Sequence, residues 1–532
     1  MYRYDSKLHF VAPLLALLTT AGCVSGPDYV RPEVPTPDAW ETELAGGAEA
    51  AEVAIVPWWH TLNDPVLEDL IARAVDNNLD LKIAEARVRE ARAARGIVAA
   101  DGLPSLGLSG SYRVAQSPEQ QRASGGSPVS VGASVGPNGL TRNLSYRGEN
   151  ATLTRTVSAA GATNGITVTP GGGMDAPDRT QDMFALGFDA SWELDLFGRV
   201  QRAVEAADAS IEAEEARLRN LHVSLAAEVA LNYLDYRMAQ GRLDIARRNI
   251  DAQRESLRLT RARFDAGLSS EFDAVRSEAQ LASFESQVPL LETQRETSLH
   301  RIGVLLGDTP GSLAETLANS APMPIAPEHV PVGLPSELLQ RRPDIQTAER
   351  ELAAATARIG VAMAEQFPKF TLTGGVGVQS LGLGTGMLDA ANRVWSVGPG
   401  VSFPIFQGGR IRANIDVQNI RQEQALLGYE QTILLALEEV ENGLVGFARE
   451  QERRKSLAEA VDANQRAVRL ANARYNNGLE DFLSVLTAQA QVFESEDRLL
   501  QSESLVLMQL VALYKALGGG WEPGAMVVEQ AE

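Results

Sequence analysis

Only one cysteine, Cys23, occurs in the 532 residues, which excludes a disulfide framework, a thiolate metal cluster and a dithiol redox pair. The five histidines, His9, His60, His222, His300 and His329, are scattered, and none forms a ligand pair at helical spacing. No phosphate-binding loop is present: Gly382, Gly384 and Gly386 are followed by no helix and read as a hairpin turn. Basic residues are outnumbered, 48 Lys and Arg against 69 Asp and Glu, for a formal net charge of -21. Neither nucleic acid nor an anionic membrane surface is therefore expected as the main partner. Beyond residue 22 no apolar run approaches the roughly 18 to 20 residues of a membrane helix, so any crossing of a membrane falls to strands. No catalytic constellation stands out, and neither an enzyme nor a bound cofactor is expected.

Proline and glycine are also missing where an ordinary domain would have them. Val200 to Ala266 runs 67 residues with no proline and one glycine, Gly241, and is dense in the strong helix formers Ala, Leu, Glu and Arg. An unbroken helix of that length reaches roughly 100 Å, far beyond the needs of a compact domain. Ile411 to Asn477 is a second proline-free stretch of 67 residues, displaced by 211. The same displacement carries Ser191-Trp192 through Gly198-Arg199 onto Ser402-Phe403 through Gly409-Arg410, and Gly267-Leu268 onto Gly478-Leu479. The chain is an internal duplication. Heptad spacing runs through both rods, with Val204, Ile211, Leu218 and Leu225 in one and Leu426, Ile433, Val440 and Phe447 in the other, as in helices that coil against neighbours.

At the N-terminus, Arg3 and Lys7 precede an apolar run from Phe10 to Leu18 and the small residues Thr19 to Gly22, the pattern of a secretory signal peptide. The Ala21-Gly22-Cys23 ending resembles a bacterial lipobox, with Thr20 where leucine is usual, and makes Cys23 the expected site of a covalent lipid. Residues 23–57, rich in proline and small residues, read as a lipid-anchored extended tether. Val66 to Ala100 is helical, with an interruption at Asn77-Asn78, and its copy is Ser336 to Gln366 at a displacement of 264. The 53 extra residues must lie between this helix and the rod.

Period-two alternation fills that interval. Leu106, Leu108, Tyr112 and Val114 alternate with small and polar residues, as do Phe184, Leu186, Phe188, Trp192, Leu194 and Leu196. The second half has Phe370, Leu372, Val376 and Val378, then Val397, Val401, Phe403 and Ile405. A soluble sandwich would alternate in the same way. Four strands in two separated hairpins, each followed by a rod and all behind a lipobox, instead point to a transmembrane β-barrel with a small polar lumen face. The first hairpin encloses a loop of 66 residues, 117–182, and the second one of 13, 381–393. The long one is expected outside the cell and mobile. Each rod ends in a tight turn, Gly267-Leu268-Ser269 or Gly478-Leu479-Glu480, before a return helix, the first kinked at Pro289. Four strands leave two open edges, which hydrocarbon penalises by several kcal/mol per unpaired backbone group. Several copies must share one barrel. Two, three or four remain open on this ground, although a conduit favours at least about twelve strands.

Gly26-Pro27-Asp28-Tyr29 behind the lipobox, the segment Trp58 to Leu67, Ser191 through Arg199, Arg342-Pro343-Asp344-Ile345, Phe403-Pro404-Ile405-Phe406 and the closing Lys515-Ala516-Leu517-Gly518-Gly519-Gly520-Trp521 resemble the TolC-type outer-membrane efflux factors, in the lipoprotein branch of OprM and NodT. That resemblance implies a mainly α fold with a transmembrane β-barrel: a homotrimer whose twelve-stranded barrel is continued by a long α-helical barrel. It implies an equatorial collar and a tip that docks a periplasmic adaptor joined to an inner-membrane pump. Carried onto this chain, the docking tip falls on Gly267, Leu268, Ser269, Gly478 and Leu479. Gate candidates in the tunnel are Asp273, Glu480, Asp481, Leu483 and Thr487. Thr487 stands where related proteins often carry aspartate, so the charge of such a ring would pass to Glu480 and Asp481, unless those acids serve as helix caps.

The expected organisation is a signal peptide at 1–22, the tether at 23–57, equatorial and first-repeat helices at 58–102, and a first hairpin at 103–199. The first rod, turn and return helix occupy 200–307. A linker with the second-repeat helix follows at 308–366, the second hairpin at 367–410, the second rod, turn and return helix at 411–518, and a tail at 519–532. The expected function is a passive, gated exit duct for small toxic compounds or drugs in the outer membrane, reaching into the periplasm. An export duct for polypeptides or a signalling molecule keeps the same architecture. A lipid-anchored coiled-coil scaffold without a pore does not. With Asp189, Glu193 and Asp195 expected on the lumen side, a mild preference for cations follows.

Overall fold

The computed structural model describes residues 24–51, 57–116, 129–136, 139–147, 151–158, 164–170, 180–267, 269–381, 388–477 and 479–521. The chain divides into two units: one holds residues up to Asp101, Asp195–Pro368 and Phe403 onward, the other Gly102–Leu194 and Lys369–Ser402.

The first unit is helical. Its helices are α1 (Pro65–Asn77), α2 (Leu79–Ala100), α3 (Arg199–Asp265), α4 (Glu271–Glu285), α5 (Val288–Leu305), α6 (Leu338–Arg341), α7 (Pro343–Ala364), α8 (Arg410–Asn476) and α9 (Phe482–Ala516). The two rods α3 and α8 each span 67 residues. Each begins after a left-handed glycine, Gly198 at φ 75° or Gly409 at φ 86°, where a side chain would be strained. Asn78 separates α1 from α2, its side-chain oxygen accepting from the Asp80 and Leu81 amides at 2.9 and 3.1 Å. Its amide nitrogen donates to the Leu305 carbonyl at 2.8 Å, tying this corner to the end of α5. The first return limb is split at Ser286 and Gln287, next to Pro289, whereas α9 runs unbroken for 35 residues. Among the described residues no helix is long and apolar enough to cross a membrane.

The main core gathers Trp58, Leu67, Leu70 and Ile71 with Tyr233, Leu234, Tyr429, Ile433, Val440 and Phe447. Heptad positions Leu218 and Leu225 of the first rod are also inside it. Trp58 stacks on Tyr514 at 5.6 Å, which brings the end of α9 to the start of the chain's helical part. A buried polar network stitches α3 to the connection after α5. Arg237 donates to the Tyr233 hydroxyl at 3.0 Å and the Asn319 carbonyl at 2.9 Å, while Tyr236 and Gln240 both donate to the Leu317 carbonyl, at 2.6 and 3.0 Å. Within this network the buried donors of Arg237, Tyr236 and Gln240 find acceptors, as burial of such groups requires.

The expected tether is extended, but from Ser25 onward it is pinned to the helices. The Ser25 amide donates to the Phe197 carbonyl at 3.1 Å, and the buried Arg202 guanidinium donates to the Ser25 carbonyl at 3.1 Å and to Asp28 at 2.5 Å. Tyr29 donates to Glu349 at 3.2 Å, Trp40 to the Gly333 carbonyl at 2.9 Å, and strand β1 (Ala48–Glu49) pairs in parallel with β8 (Val330–Pro331). Gly26 meets Gly360 so closely that a Cβ on Gly26 would lie 2.4 Å from the Gly360 Cα.

Among its described residues the second unit is mainly strand, with one short 3-10 turn at Ala390–Asn392. β10 (Arg393–Ser402), β9 (Lys369–Ser380), β7 (Thr180–Leu194) and β2 (Ser105–Gln116) form one antiparallel sheet in that order. It is an open sheet, with β10 and β2 at its edges. A second antiparallel sheet is the meander β3 (Val129–Gly136), β4 (Gly139–Arg147), β5 (Ala151–Ser158) and β6 (Asn164–Pro170). This corrects the expectation of four strands in all: the connection at 117–182, expected as a long external loop, holds four more. The richness of that segment in Ser, Thr and Gly masked short alternating runs such as Val129-Ser130-Val131. The first sheet also ends earlier than its pattern suggests, so that Leu196, Phe403 and Ile405 lie beyond β7 and β10.

Candidate functional site

Two places carry the residues singled out above. They are the turns between rod and return helix in the helical unit, and the polar face of the sheet in the strand unit. Cys23, Leu268 and Gly478, with the glycines 382, 384 and 386, lie outside the described residues.

In the first turn Gly267 is left-handed at φ 71° with open space around it, and its amide donates to the Phe264 carbonyl at 2.8 Å. Ser269 reaches back to the Thr260 carbonyl at 3.4 Å. Ser270 precedes α4 but makes no side-chain bond to the helix backbone. Its hydroxyl goes instead to the Asp273 carboxylate at 3.1 Å, so this gate candidate is held at its own helix start. Phe264 and Phe272 stay exposed.

The second turn is more tightly tied. The Leu479 amide donates to the Arg474 carbonyl at 2.9 Å, five residues back, as in a Schellman close. The Asp481 carboxylate accepts from the Ser484 amide at 3.1 Å and caps α9. Glu480 accepts from Arg474 at 3.0 Å and from the Ser484 hydroxyl at 3.0 Å. Both acids are thus engaged as helix-end partners. Tyr475, Phe482, Val485 and Leu486 form a small buried cluster beneath them, and the Arg263 guanidinium lies 4.6 Å over the Tyr475 ring, joining the two turns. Leu479, Leu483 and Thr487 are exposed.

Further along, the limbs interlock. Arg242 of α3 makes a two-point ion pair with Asp497 of α9 at 2.6 and 3.1 Å, and Phe284 of α4 meets Phe493 of α9 edge-on at 4.7 Å. No spacing rule picks out Arg242 and Asp497 in a sequence this rich in charge.

In the strand unit, register places the apolar residues on one face. Leu108 lies opposite Phe188, Phe188 opposite Val376, and Val376 opposite Trp395, across all four strands. Leu106, Leu108, Val376, Trp395, Val397 and Val401 are exposed on that face, an apolar patch larger than a water-facing sheet would carry. The opposite parity holds Ser109, Asp189, Gly375 and Ser396, with Ser109 donating to Asp189 at 2.5 Å. Glu193 shares this parity opposite Thr371. Asp195 does not: it follows the end of β7, and its carboxylate accepts from the Gln201 amide at 2.9 Å in the first turn of α3. The strand pattern ran two residues past the end of β7, to Leu196, and so took in Asp195, whose carboxylate bonds at the start of α3.

Comparison with known proteins extends these observations over most of the chain. The profile of the outer membrane efflux protein family matches residues 70–308 and 334–519. Nodulation protein T of Rhizobium leguminosarum bv. trifolii is 30% identical over 516 residues, covering 97% of this chain and 98% of that protein. The solvent efflux pump outer membrane protein SrpC of Pseudomonas putida is 30% identical over 514 residues, covering 96% and 98%. The solved outer-membrane channel OprN superposes with a TM-score of 0.76 at 35% identity, covering 94% of this chain and 100% of that one.

Proposed function

This chain belongs to the outer membrane efflux protein family, and from that premise we propose that it is the outer-membrane exit duct of a tripartite efflux system, a passive gated channel for small toxic compounds. Outer-membrane location and a channel role accord with relatives such as the solvent efflux component and with the OprN channel. The observation that carries the reading is the open four-stranded sheet with one continuous apolar face and one small polar face. In hydrocarbon its edge strands β2 and β10 must find partners. An even number of strands in each copy lets β10 of one copy meet β2 of the next in antiparallel fashion. Three copies then close twelve strands around a lumen, the smallest of the open choices that leaves a conduit. The rods would continue as a helical tunnel through the periplasm, with Gly267, Leu268, Ser269, Gly478 and Leu479 docking a periplasmic adaptor that joins an inner-membrane pump. A lipid on Cys23, two residues before the pinned Ser25, would anchor each copy. Asp273, Glu480, Asp481, Leu483 and Thr487 are proposed to narrow the tunnel near its tip.

Purified protein in planar bilayers tests this. Discrete conductance steps with a mild cation preference are expected, and Asp189→Asn with Glu193→Gln should shift the reversal potential toward zero. Protein that inserts but never conducts would support the scaffold reading instead.

A further inference from the structure

The helical unit contains a groove that neither the turns nor the strand pattern accounts for. It has a volume of about 430 Å3 and is bounded by α2, α3, α7 and α8. Each helix contributes a stripe at three- and four-residue spacing. On α3 the stripe is Ala203, Ala206, Ala207 and Ser210, a low wall of small side chains. On α8 it is Asn414, Gln418 and Arg421, and on α7 it begins with Arg358.

Two arginines, Arg358 of α7 and Arg421 of α8, line this groove. Other arginines on its bounding helices are ion-paired, as with Arg92 and Glu215, Arg95 and Asp208, and Arg350 and Glu212. Arg358 donates to the Ser210 hydroxyl at 3.4 Å, and among the described residues no carboxylate forms an ion pair with Arg358 or Arg421. Glu365, the carboxylate of the lining, lies 3.6 Å from Arg410. Partial burial, and then the like charge of Arg421, push the Arg358 guanidinium below its ordinary value. Two cations lining one groove, neither ion-paired among the described residues, over an apolar wall, suit an anion with an apolar body.

We propose that this groove binds a small amphipathic solute, its carboxylate or phosphate head held between Arg358 and Arg421 and its apolar body lying along the alanine stripe of α3. The Arg fork matches a planar oxyanion in a way that a lysine would not, and Asn414 and Gln418 supply neutral donors beside it. As a station for cargo this rests on the duct reading; as a binding site it does not. The test is therefore a binding measurement that needs no pore: fluorine NMR titration of 4-fluorobenzoate into the full-length purified protein in detergent, with inorganic phosphate as competitor. Saturable binding displaced by phosphate is expected, and Arg358→Gln with Arg421→Gln should weaken it about tenfold or more, the loss of charge-assisted bonds. Arg421→Gln alone, at an exposed unpaired side chain, should already weaken it severalfold and guards against a folding failure of the double variant. Equal binding by wild type and both variants, or no saturable binding, overturns the site. So does binding of phosphatidylglycerol in mixed micelles without binding of the free carboxylate, since the groove would then hold a lipid head. Intact binding in protein that never conducts refutes the duct and leaves the site.

Discussion

The two helical hairpins descend from one repeat, yet they finish their turns by different means. The second is braced: Asp481 caps α9, Glu480 holds Arg474 and Ser484, and Phe482 packs with Tyr475 in a buried cluster. The first has an open glycine, a serine whose hydroxyl goes to Asp273 instead of the backbone, exposed Phe264 and Phe272, and a return limb split before Pro289. Duplication copied the length of the rods and the position of the turns. The chemistry that stiffens each turn diverged, and the first hairpin is the looser of the two.

Hydrogen exchange resolved along the chain reads local opening, and it can break this comparison. Phe482→Ala should have the largest effect, raising opening of the second turn by about 3 kcal/mol through the lost buried ring, with the first hairpin unchanged. Gly267→Ala should cost about 1.5 kcal/mol, because alanine in the left-handed region is strained even where space is free. Asp481→Ala should cost about 1 kcal/mol as a lost cap, whereas Ser270→Ala, whose hydroxyl caps nothing, should cost below about 0.5 kcal/mol. If the two cap substitutions cost the same, the asymmetry is not in the caps. Pro289→Ala acts on the limb and not the turn: protection of the amides around Ser286 and Gln287 should rise as the limb becomes continuous, with overall stability changed by less than about 0.5 kcal/mol.

Long periodic elements were the most legible from residues alone. Helix α3 starts at Arg199 and α8 at Arg410, one residue before each expected rod, because a run of good helix formers flanked by glycine leaves little else to form. The break at Asn77-Asn78 was legible from side chains that compete for backbone bonds, and the split before Pro289 from the missing amide. The meander β3 to β6 was not, since short Thr- and Ser-rich strands carry weak pattern. Nor was the pinning of residues 25–51, which depends on partners as remote as Arg202, Glu349 and Val330. The turn residues were found as turns by their glycines. That Asp481 caps α9 while Ser270 leaves α4 uncapped is a matter of side-chain direction, which spacing does not encode. Arg358 and Arg421 lie on different helices of the second repeat, 63 positions apart, and come to line one groove only through packing.

The account stands on closure of the open sheet by other copies. The direct measurement is the mass of the mature protein in a detergent micelle by light scattering, with the detergent contribution subtracted. Three copies per particle is the result expected from four strands with two unpaired edges. A stable, folded monomer would contradict it, and the duct with it.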